Sequence, residues 1–272
     1  MIRPSTAVFA RPVTLTRWDG VVHTDARDVV AVEEPLEIRL GERGLAFVMR
    51  TPGNDRELAA GFLTTEGIVR NRSEILDLVY CSPEADAEPN VMTVHLAPGV
   101  RVDWERLTRH TFASSSCGLC GKVSIDAVRS IAPPLRGTAV PSRAVLEKIT
   151  HGLRERQQGF ALTGGVHASG LFAADGELIV LREDVGRHNA LDKVIGWALL
   201  GDRLPLAECI LLVSGRVSFE LMQKALMAGI PTVAAVSAPT SLAVEFARES
   251  GQTLVGFVRG ERMNVYAGTI RA

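Results

Sequence analysis

The sequence contains little of what marks secreted or membrane proteins. Only 4 of its 272 residues are cysteine, which is too few for a disulfide-stabilised scaffold. The first residues, 1–6, are not followed by the apolar region of a signal peptide. No apolar run reaches the ~18 residues that a membrane-spanning helix needs. We therefore expect a cytoplasmic protein that has no membrane partner.

Charge of neither sign dominates the composition. The chain has 30 basic and 31 acidic residues, so its formal net charge is −1. Such a balance provides no overall field that would attract nucleic acid, and nucleic acid is not an expected partner. A hydrophobic content of 46% and a charged content of 22% are typical of a globular protein with a sizeable core.

Two of the four cysteines, Cys117 and Cys120, form a Cys-x-x-Cys motif within residues 114–122, which read SSSCGLCGK. The serines and glycines predict an exposed, mobile loop. Lys122 and the start of a following helix would lower the pKa of a nearby thiol and favour the reactive thiolate. A thiol on a mobile loop can visit two partners, so we expect both cysteines to be catalytic.

Other interpretations of this motif remain open from the residues alone. The thiols could be ordinary loop residues, or belong to a thioredoxin-like thiol–disulfide oxidoreductase, because Gly229-Ile230-Pro231 resembles the proline loop of that fold. That loop lies far along the chain, beyond a linker. A zinc site needs four ligands. Since Cys81 and Cys209 are solitary and no His-x3-5-His occurs, no metal is expected.

The pattern divides the chain into a small strand-rich α+β N-terminal domain, a middle segment and an α/β C-terminal domain. Residues 1–110 begin with a loose arm of about eleven residues. Strands are then expected at 29–32, 36–40, 45–49, 75–81 and 91–96. A helix is expected at 55–65, with Asn54 as its N-cap and the Glu57 side chain bonding back to the helix start. Residues 111–137 hold the cysteine loop, a short helix at 122–130 and a linker.

In the C-terminal domain, residues 138–272, helices and strands alternate. Helices are expected at 142–157, 189–200 and 219–227, and a further helix follows the turn at 237–239 and ends at about 249. Strands are expected at 160–163, 171–174, 178–181, 210–213, 232–236 and, as the last, 254–258. This alternation predicts a layered α/β domain with a mainly parallel or mixed sheet.

Polar segments follow several of these strands, where ligands bind in α/β sheets. His188 and Asn189 lie in a polar run that opens a helix, although a solvated, capped helix start would give the same pattern. Ser214-Gly215-Arg216 suits a phosphate. The last segment could stack on a base and pair with phosphates; it consists of Phe257, Val258, Arg259, Gly260, Glu261 and Arg262.

Nine motifs together resemble one family, the formate dehydrogenase accessory sulfurtransferases, or FdhD family. They span nearly the whole chain: TPGND at 51–55, ELA at 57–59, GFL at 61–63, the segment 114–122, GGVH at 164–167, EDVGRHNA at 183–190, SGR at 214–216, GIP at 229–231 and GFVRG at 256–260.

The resemblance implies a sulfurtransferase. Members accept sulfur from a cysteine desulfurase as a persulfide, carried at the position of Cys117 with Cys120 as its partner. They pass it to the molybdenum of the bis(molybdopterin guanine dinucleotide) cofactor, which is a bound substrate, for a molybdenum-dependent formate dehydrogenase. Residues 257–262 match the cofactor-binding segment, which contacts the guanine nucleotide. The resemblance also implies a homodimer and a cytidine-deaminase-like C-terminal domain.

Two further functions compete with sulfur transfer. A zinc deaminase of the same fold is not expected, because His167-Ala168-Ser169 has a serine where the catalytic glutamate should stand. A non-covalent chaperone for the molybdenum cofactor remains an alternative, since the strand-end loops alone would suffice to bind it.

Overall fold

The computed structural model describes residues 9–80, 90–105, 107, 132, 135 and 140–272. The predicted cysteine loop with Cys117 and Cys120, the helix at 122–130 and most of the linker lie outside the described residues, as does Cys81.

The N-terminal part consists of a two-stranded ribbon and a four-stranded sheet. Strands β1 (Ala10–Asp19) and β2 (Val22–Ala31) pair antiparallel as the ribbon. The sheet has the order β4-β3-β6-β5, with β3 (Glu34–Leu40), β4 (Arg43–Arg50), β5 (Ile75–Tyr80) and β6 (Val91–Leu96). Helix α1 (Asp55–Thr65) packs on the sheet through buried residues such as Leu58 and Leu63, because its apolar side chains recur on one face.

The C-terminal part is a mixed six-stranded sheet with helices on both faces. Its elements are α2 (Arg143–Arg156), α3 (Gln158–Thr163), β7 (His167–Phe172), β8 (Leu178–Asp184), α4 (Arg187–Leu200), β9 (Ile210–Val213), α5 (Phe219–Met227), β10 (Thr232–Ala235), α6 (Ser241–Ser250), β11 (Thr253–Arg259) and β12 (Arg262–Ala267). The strand order is β12-β11-β10-β9-β7-β8. The predicted mixed α/β character is confirmed.

Two buried clusters hold the helices against this sheet. On one face, α4, α5 and α6 pack on residues that include Leu171, Leu211 and Val233. On the other face, α2 buries Leu146 and Ile149 against alternate residues of the same strands. Since successive side chains of a strand point to opposite faces, the near-continuous apolar strands of this sheet supply both clusters.

Several predicted elements differ from the structure. The expected strand at 160–163 is the helix α3. Its first amides, those of Gly159 and Phe160, donate to the Glu183 carboxylate at 2.7 and 2.9 Å, so a side chain from β8 stabilises the helix start. Strand β11 is not the last, because β12 follows it. The predicted strand at 29–32 is the end of the longer strand β2, which begins at Val22, and β1 begins at Ala10, within the last two residues of the predicted arm; residues 1–8 lie outside the described part of the chain.

The predicted cap of α1 was wrong as well. Asn54 has a left-handed backbone with φ of 59° and makes no side-chain capping bond. Glu57 does not reach back to the helix start. Its carboxylate instead accepts from the guanidinium of Arg182, with Nη2 and Oε1 2.7 Å apart, and thereby joins α1 to β8.

One edge of the six-stranded sheet collects the ends of most strands. Strands β9, β10 and β11 are parallel, while β7 is antiparallel to both β8 and β9. The carboxyl ends of β8, β9, β10 and β11 therefore meet at the same edge, where β7 begins. We call this edge the carboxyl edge; it positions the candidate site.

Candidate functional site

The carboxyl edge brings together the polar segments that the sequence singles out. The run after β8 contains His188 and Asn189, the run after β9 is Ser214-Gly215-Arg216, and the run at the end of β11 is residues 257–262. The first two runs meet around His167, at the start of β7. The third lies two strand spacings from β9, or about 10 Å along the edge.

His188 lies in the first turn of α4 and contacts the start of α5. Its Nε2 is 2.9 Å from Oε2 of Glu220 and 3.3 Å from Oγ of Ser218. The hydrogen bond from His188 lowers the pKa of Glu220, against the opposing effect of burial. His188 is thus held by protein groups through one ring nitrogen, while its ring stays partly exposed.

The three residues after β9 have different environments. The hydroxyl of Ser214 accepts from the Ala168 amide at 2.9 Å, and the Ser214 amide donates to the Ala168 carbonyl at 3.0 Å, so Ser214 extends the strand pairing. Gly215 is buried against the ring of His167. Arg216 is exposed, and its guanidinium has no hydrogen bond or ion pair with any described residue. Arg216 is therefore available to a ligand.

Asn189 belongs to a buried polar junction between the two parts of the chain. Asp184 is fully buried and accepts from the Thr51 amide at 3.2 Å, from Nδ2 of Asn189 at 3.0 Å and from Nζ of Lys193 at 2.7 Å. Nδ2 of Asn189 also donates to the Met49 carbonyl at 2.7 Å. The amide nitrogen of Asn189 thus has protein partners, and its position supports the packing of the N-terminal sheet on α4.

The hairpin between β11 and β12 presents an aromatic ring and arginines at the edge. Phe257 has a left-handed backbone with φ of 54°, which is rare for a bulky residue. The strand pairing slips between Gly256 and Arg259, and the Phe257 amide donates to the Ser237 carbonyl at 3.1 Å. The irregularity turns the Phe257 ring outward, where it is 36% exposed.

Close packing beneath the hairpin depends on Gly256. A β-carbon at this position would lie 2.9 Å from Cδ of Pro239 and 3.0 Å from the Tyr266 ring. The backbone of β11 therefore lies directly against the loop after β10. Val258 is fully buried in the sheet and does not line the hairpin surface.

An open depression of about 560 Å³ lies along this hairpin, lined by Phe257, Arg259, Glu261, Arg262, Met263 and Asn264. The guanidinium carbon of Arg259 lies 6.0 Å from the centre of the Phe257 ring, and Nε of Arg259 donates to the Val236 carbonyl at 3.3 Å. Gly260 makes the turn with φ of 56°. An exposed ring beside guanidinium groups can stack on a planar base and pair with phosphate oxygens.

Two residues that were not among the predicted site residues, Arg187 and His167, also lie at the carboxyl edge. Arg187 begins α4, and its Nε is buried without a hydrogen-bond partner. The pKa of His167 is lowered, first by burial and then by the positive charges of Arg187, His188 and Arg216. Their proximity depends on β7 pairing with both β8 and β9, which no local pattern reveals.

Within the described ranges, no group of three or more His, Cys, Asp or Glu side chains is arranged to hold a metal ion. No helix in the described part of the chain has the length and apolar character needed to cross a membrane. Cys209 is a free thiol whose pKa is raised by burial and by Glu208.

Comparisons with known proteins agree over nearly the whole chain. The FdhD/NarQ family matches residues 31–272. The sulfur carrier protein FdhD of Streptomyces coelicolor is 52% identical over 263 residues, covering 93% of this chain and 92% of the relative. The protein of the same name from Mycobacterium tuberculosis is 51% identical over 247 residues, covering 88% and 90%. A crystal structure of a formate dehydrogenase accessory protein from Desulfotalea psychrophila is similar, with a TM-score of 0.76, 25% identity and coverage of 96% and 97%.

Proposed function

Since this chain belongs to the FdhD/NarQ family and is a sulfur carrier, we propose that it carries the sulfur as a persulfide on Cys117 and delivers it to a molybdenum cofactor. The acceptor is bis(molybdopterin guanine dinucleotide), bound as a substrate, and the completed cofactor serves a molybdenum-dependent formate dehydrogenase. The similarity to the formate dehydrogenase accessory protein of Desulfotalea psychrophila supports the last step.

The sulfur enters by exchange between persulfide and thiolate. The Cys117 thiolate attacks the outer sulfur of a persulfide on a cysteine desulfurase. The sulfur–sulfur bond of the donor breaks, the donor cysteine leaves as a thiolate, and Cys117 holds the transferred sulfur. No net oxidation occurs, so no further redox partner is required. Cys120 is the partner thiol, close enough in sequence to exchange sulfur with Cys117.

The convergence of ligand-like segments on one edge is the observation that carries the cofactor part of this proposal. The 257–262 hairpin offers an exposed ring and arginines for a guanine nucleotide, and Arg216 with His188 lies at the same edge. A cofactor with two guanine nucleotides and their pyrophosphates is long and highly charged. Such a molecule needs several cationic contacts along an edge rather than one closed pocket.

Two finer expectations belong to the same proposal. The C-terminal domain has the cytidine deaminase architecture, for which the mixed sheet with helices on both faces is the supporting observation. The protein works as a homodimer in the cytoplasm.

The decisive experiment follows sulfur on the cysteines of the full-length chain. Wild type, Cys117→Ser, Cys120→Ser and, as a matched control, Cys209→Ser are incubated with a cysteine desulfurase and L-cysteine, then analysed by intact mass spectrometry without reductant. We expect a gain of one sulfur atom in wild type and Cys209→Ser, and its loss in Cys117→Ser.

Formate dehydrogenase activity in cells that carry each variant provides the second measurement. Cys117→Ser should abolish this activity, while Cys209→Ser should preserve it. Suppose that Cys117→Ser and Cys120→Ser both keep full activity and that neither cysteine of wild type gains sulfur. Persulfide transfer would then be refuted, and the protein would act as a non-covalent cofactor chaperone.

A further inference from the structure

A compact group of unpaired polar side chains lies at the carboxyl edge, apart from the 257–262 hairpin. Gly215 packs between two of them: a β-carbon there would lie 3.2 Å from Nδ1 of His167 and 3.7 Å from Cδ of Arg187. Arg216 follows directly in the chain and is exposed. The three side chains come from the start of β7, the start of α4 and the loop after β9, and we call them the edge cluster.

The edge cluster leaves strong donors without protein partners. Nε of Arg187 is buried and has no hydrogen-bond partner. The adjacent carbon Cδ lies close to Gly215, so this N–H is part of the cluster. In the described part of the chain, neither ring nitrogen of His167 forms a hydrogen bond, and neither arginine forms an ion pair. A buried guanidinium N–H without a partner costs free energy unless a ligand accepts its hydrogen bond.

A buried hydroxyl next to the cluster is also unpaired. Ser169 is 1% exposed, and its Oγ has no hydrogen-bond partner. Ser169 stands two residues after His167 in β7, so both side chains project from the same face of the strand. Leu171, the next residue on that face, packs beneath α4, which places the hydroxyl on the side where Arg187 begins that helix.

The electrostatics of the cluster favour an anion. Besides burial, the charges of Arg187, His188 and Arg216 lower the pKa of His167, and Asp184 alone acts in the opposite direction. Asp184 is already paired with Lys193, and Glu220 is paired with His188. Neither arginine forms an ion pair with these carboxylates, although the charge of Arg187 contributes to lowering the pKa of Glu220, and the start of the 14-residue helix α4 adds its dipole.

From these contacts we propose that His167, Arg187 and Arg216 bind a phosphoryl group over Gly215. The planar guanidinium groups pair with phosphate oxygens, and protonated His167 adds a third charge-assisted hydrogen bond. The lack of a side chain at Gly215 lets His167 and Arg187 pack close to the backbone there. The existence of a phosphoryl site is inferred from these side chains alone. That its ligand is a pyrophosphate of the molybdenum cofactor rests on the proposed function.

Nuclear magnetic resonance of the histidine rings tests the site on the full-length protein. His167 is assigned by His167→Gln and titrated with pH in the absence and presence of inorganic pyrophosphate. We expect the pKa of His167 to rise on addition of pyrophosphate, because the bound anion favours the imidazolium. Arg216→Ala should weaken pyrophosphate binding by roughly tenfold, as expected for one charge-assisted contact, so the pKa shift of His167 should need about ten times more pyrophosphate.

Two control variants separate this site from other arginines. Arg154→Ala removes an exposed arginine of α2, on the opposite face of the sheet, and should leave binding unchanged. Arg259→Ala alters the hairpin but should leave the His167 shift intact. Gly215→Ala places a methyl group against His167 and should reduce binding, while circular dichroism confirms that each variant is folded.

The source of the phosphoryl group is identified by competition with guanosine diphosphate. If the nucleotide displaces pyrophosphate and Arg216→Ala weakens both, the cluster holds a phosphate of the nucleotide. If only pyrophosphate responds to Arg216→Ala, the cluster is a separate phosphoryl site. If pyrophosphate does not move the His167 resonance, the phosphoryl site is refuted, even if the cysteine experiment succeeds. If pyrophosphate binds but Cys117 gains no persulfide, sulfur transfer alone is refuted.

Discussion

Gly61 of α1 and Gly196 of α4 face each other across a helix crossing that leaves no room for a side chain. A β-carbon on Gly61 would lie 1.8 Å from the Asp192 carbonyl oxygen, and one on Gly196 would lie 1.8 Å from the Glu57 carbonyl oxygen. Both distances are far below van der Waals contact, and both obstacles are backbone atoms of the opposite helix. The N-terminal and C-terminal parts therefore pack through direct backbone contact.

Gly196→Ala should destabilise the protein by about 2–4 kcal/mol, because the helices must separate to admit the methyl group. Gly152→Ala in α2 is the matched control, since its methyl group would meet only side-chain atoms at 3.6 and 3.7 Å. Removing a glycine from a helix interior without a clash stabilises by about 0.5–1 kcal/mol. Urea unfolding of both variants measures the change in the free energy of unfolding. Equal changes would mean that α1 and α4 can separate to admit a methyl group with little loss of stability.

A buried lysine reinforces the same crossing. Nζ of Lys224 in α5 donates to the Asp192 carboxylate at 2.8 Å and to Oγ1 of Thr65 at 2.9 Å. Burial alone would lower the pKa of Lys224, yet the attraction of Asp192 raises it above its usual value. Lys224 therefore stays charged at neutral pH. Its contribution to stability is present below the ordinary lysine pKa and is lost only as the pH rises through the raised one.

Lys224→Met should cost about 3–5 kcal/mol, because it leaves a buried carboxylate without its counter-charge. Lys148→Met is the control: Lys148 pairs with Glu177 at a similar distance, 2.7 Å, but both side chains are exposed, so the change should stay within about 0.5 kcal/mol. Chemical unfolding of the two variants at neutral pH measures both losses of stability. A small effect at both sites would show that Asp192 takes up a proton or reaches water when Lys224 is removed.

The hydrogen bond between His188 and Glu220 predicts a pH dependence on the acid side. Because the folded pKa of Glu220 is lowered, its contribution to stability is present above the ordinary glutamate pKa and is lost as the pH falls through the folded value. His188→Asn should raise the pKa of Glu220 towards its ordinary value. Carboxyl resonances followed through an acid titration measure this pKa directly, and an unchanged value in His188→Asn would contradict the assignment.

Local sequence patterns predicted the elements that depend on local periodicity. Helix α1 at 55–65, strand β9 at 210–213 and helix α5 at 219–227 have the expected bounds. Helix α3 was missed because Glu183, a residue of β8, binds its first amides. No window around residue 160 contains that carboxylate, so the local apolar residues favoured a strand.

The candidate site was predictable in part for the same reason. Polar residues after buried strands correctly indicated Arg216 and the 257–262 hairpin as groups at one edge. Whether a polar side chain is free or paired depends on tertiary contacts. Asn189 was predicted as a ligand group, yet its amide donates to Asp184 and Met49. Arg187 belongs to the same polar run and was not chosen as a site residue, yet its Nε is buried and unpaired.

The hairpin provides a test that separates nucleotide binding from folding. The left-handed backbone of Phe257 suits glycine better than any other residue. Phe257→Gly should therefore relieve backbone strain while it removes the exposed ring, and the melting temperature should not fall. Loss of a stacking contact worth about 1–3 kcal/mol predicts an affinity for guanosine diphosphate lower by roughly five- to 150-fold.

Val265→Ala is the matched control in the same hairpin, because Val265 is exposed on β12 but does not line the depression beside Phe257. Calorimetric titration of wild type and both variants with guanosine diphosphate at one ionic strength measures the three affinities. An affinity of Phe257→Gly equal to that of Val265→Ala would show that the ring does not stack on the base. The arginines would then bind the nucleotide through its phosphates alone. The affinity of wild type should then fall steeply with salt, and that of Arg259→Ala should fall less steeply, because fewer cationic contacts remain.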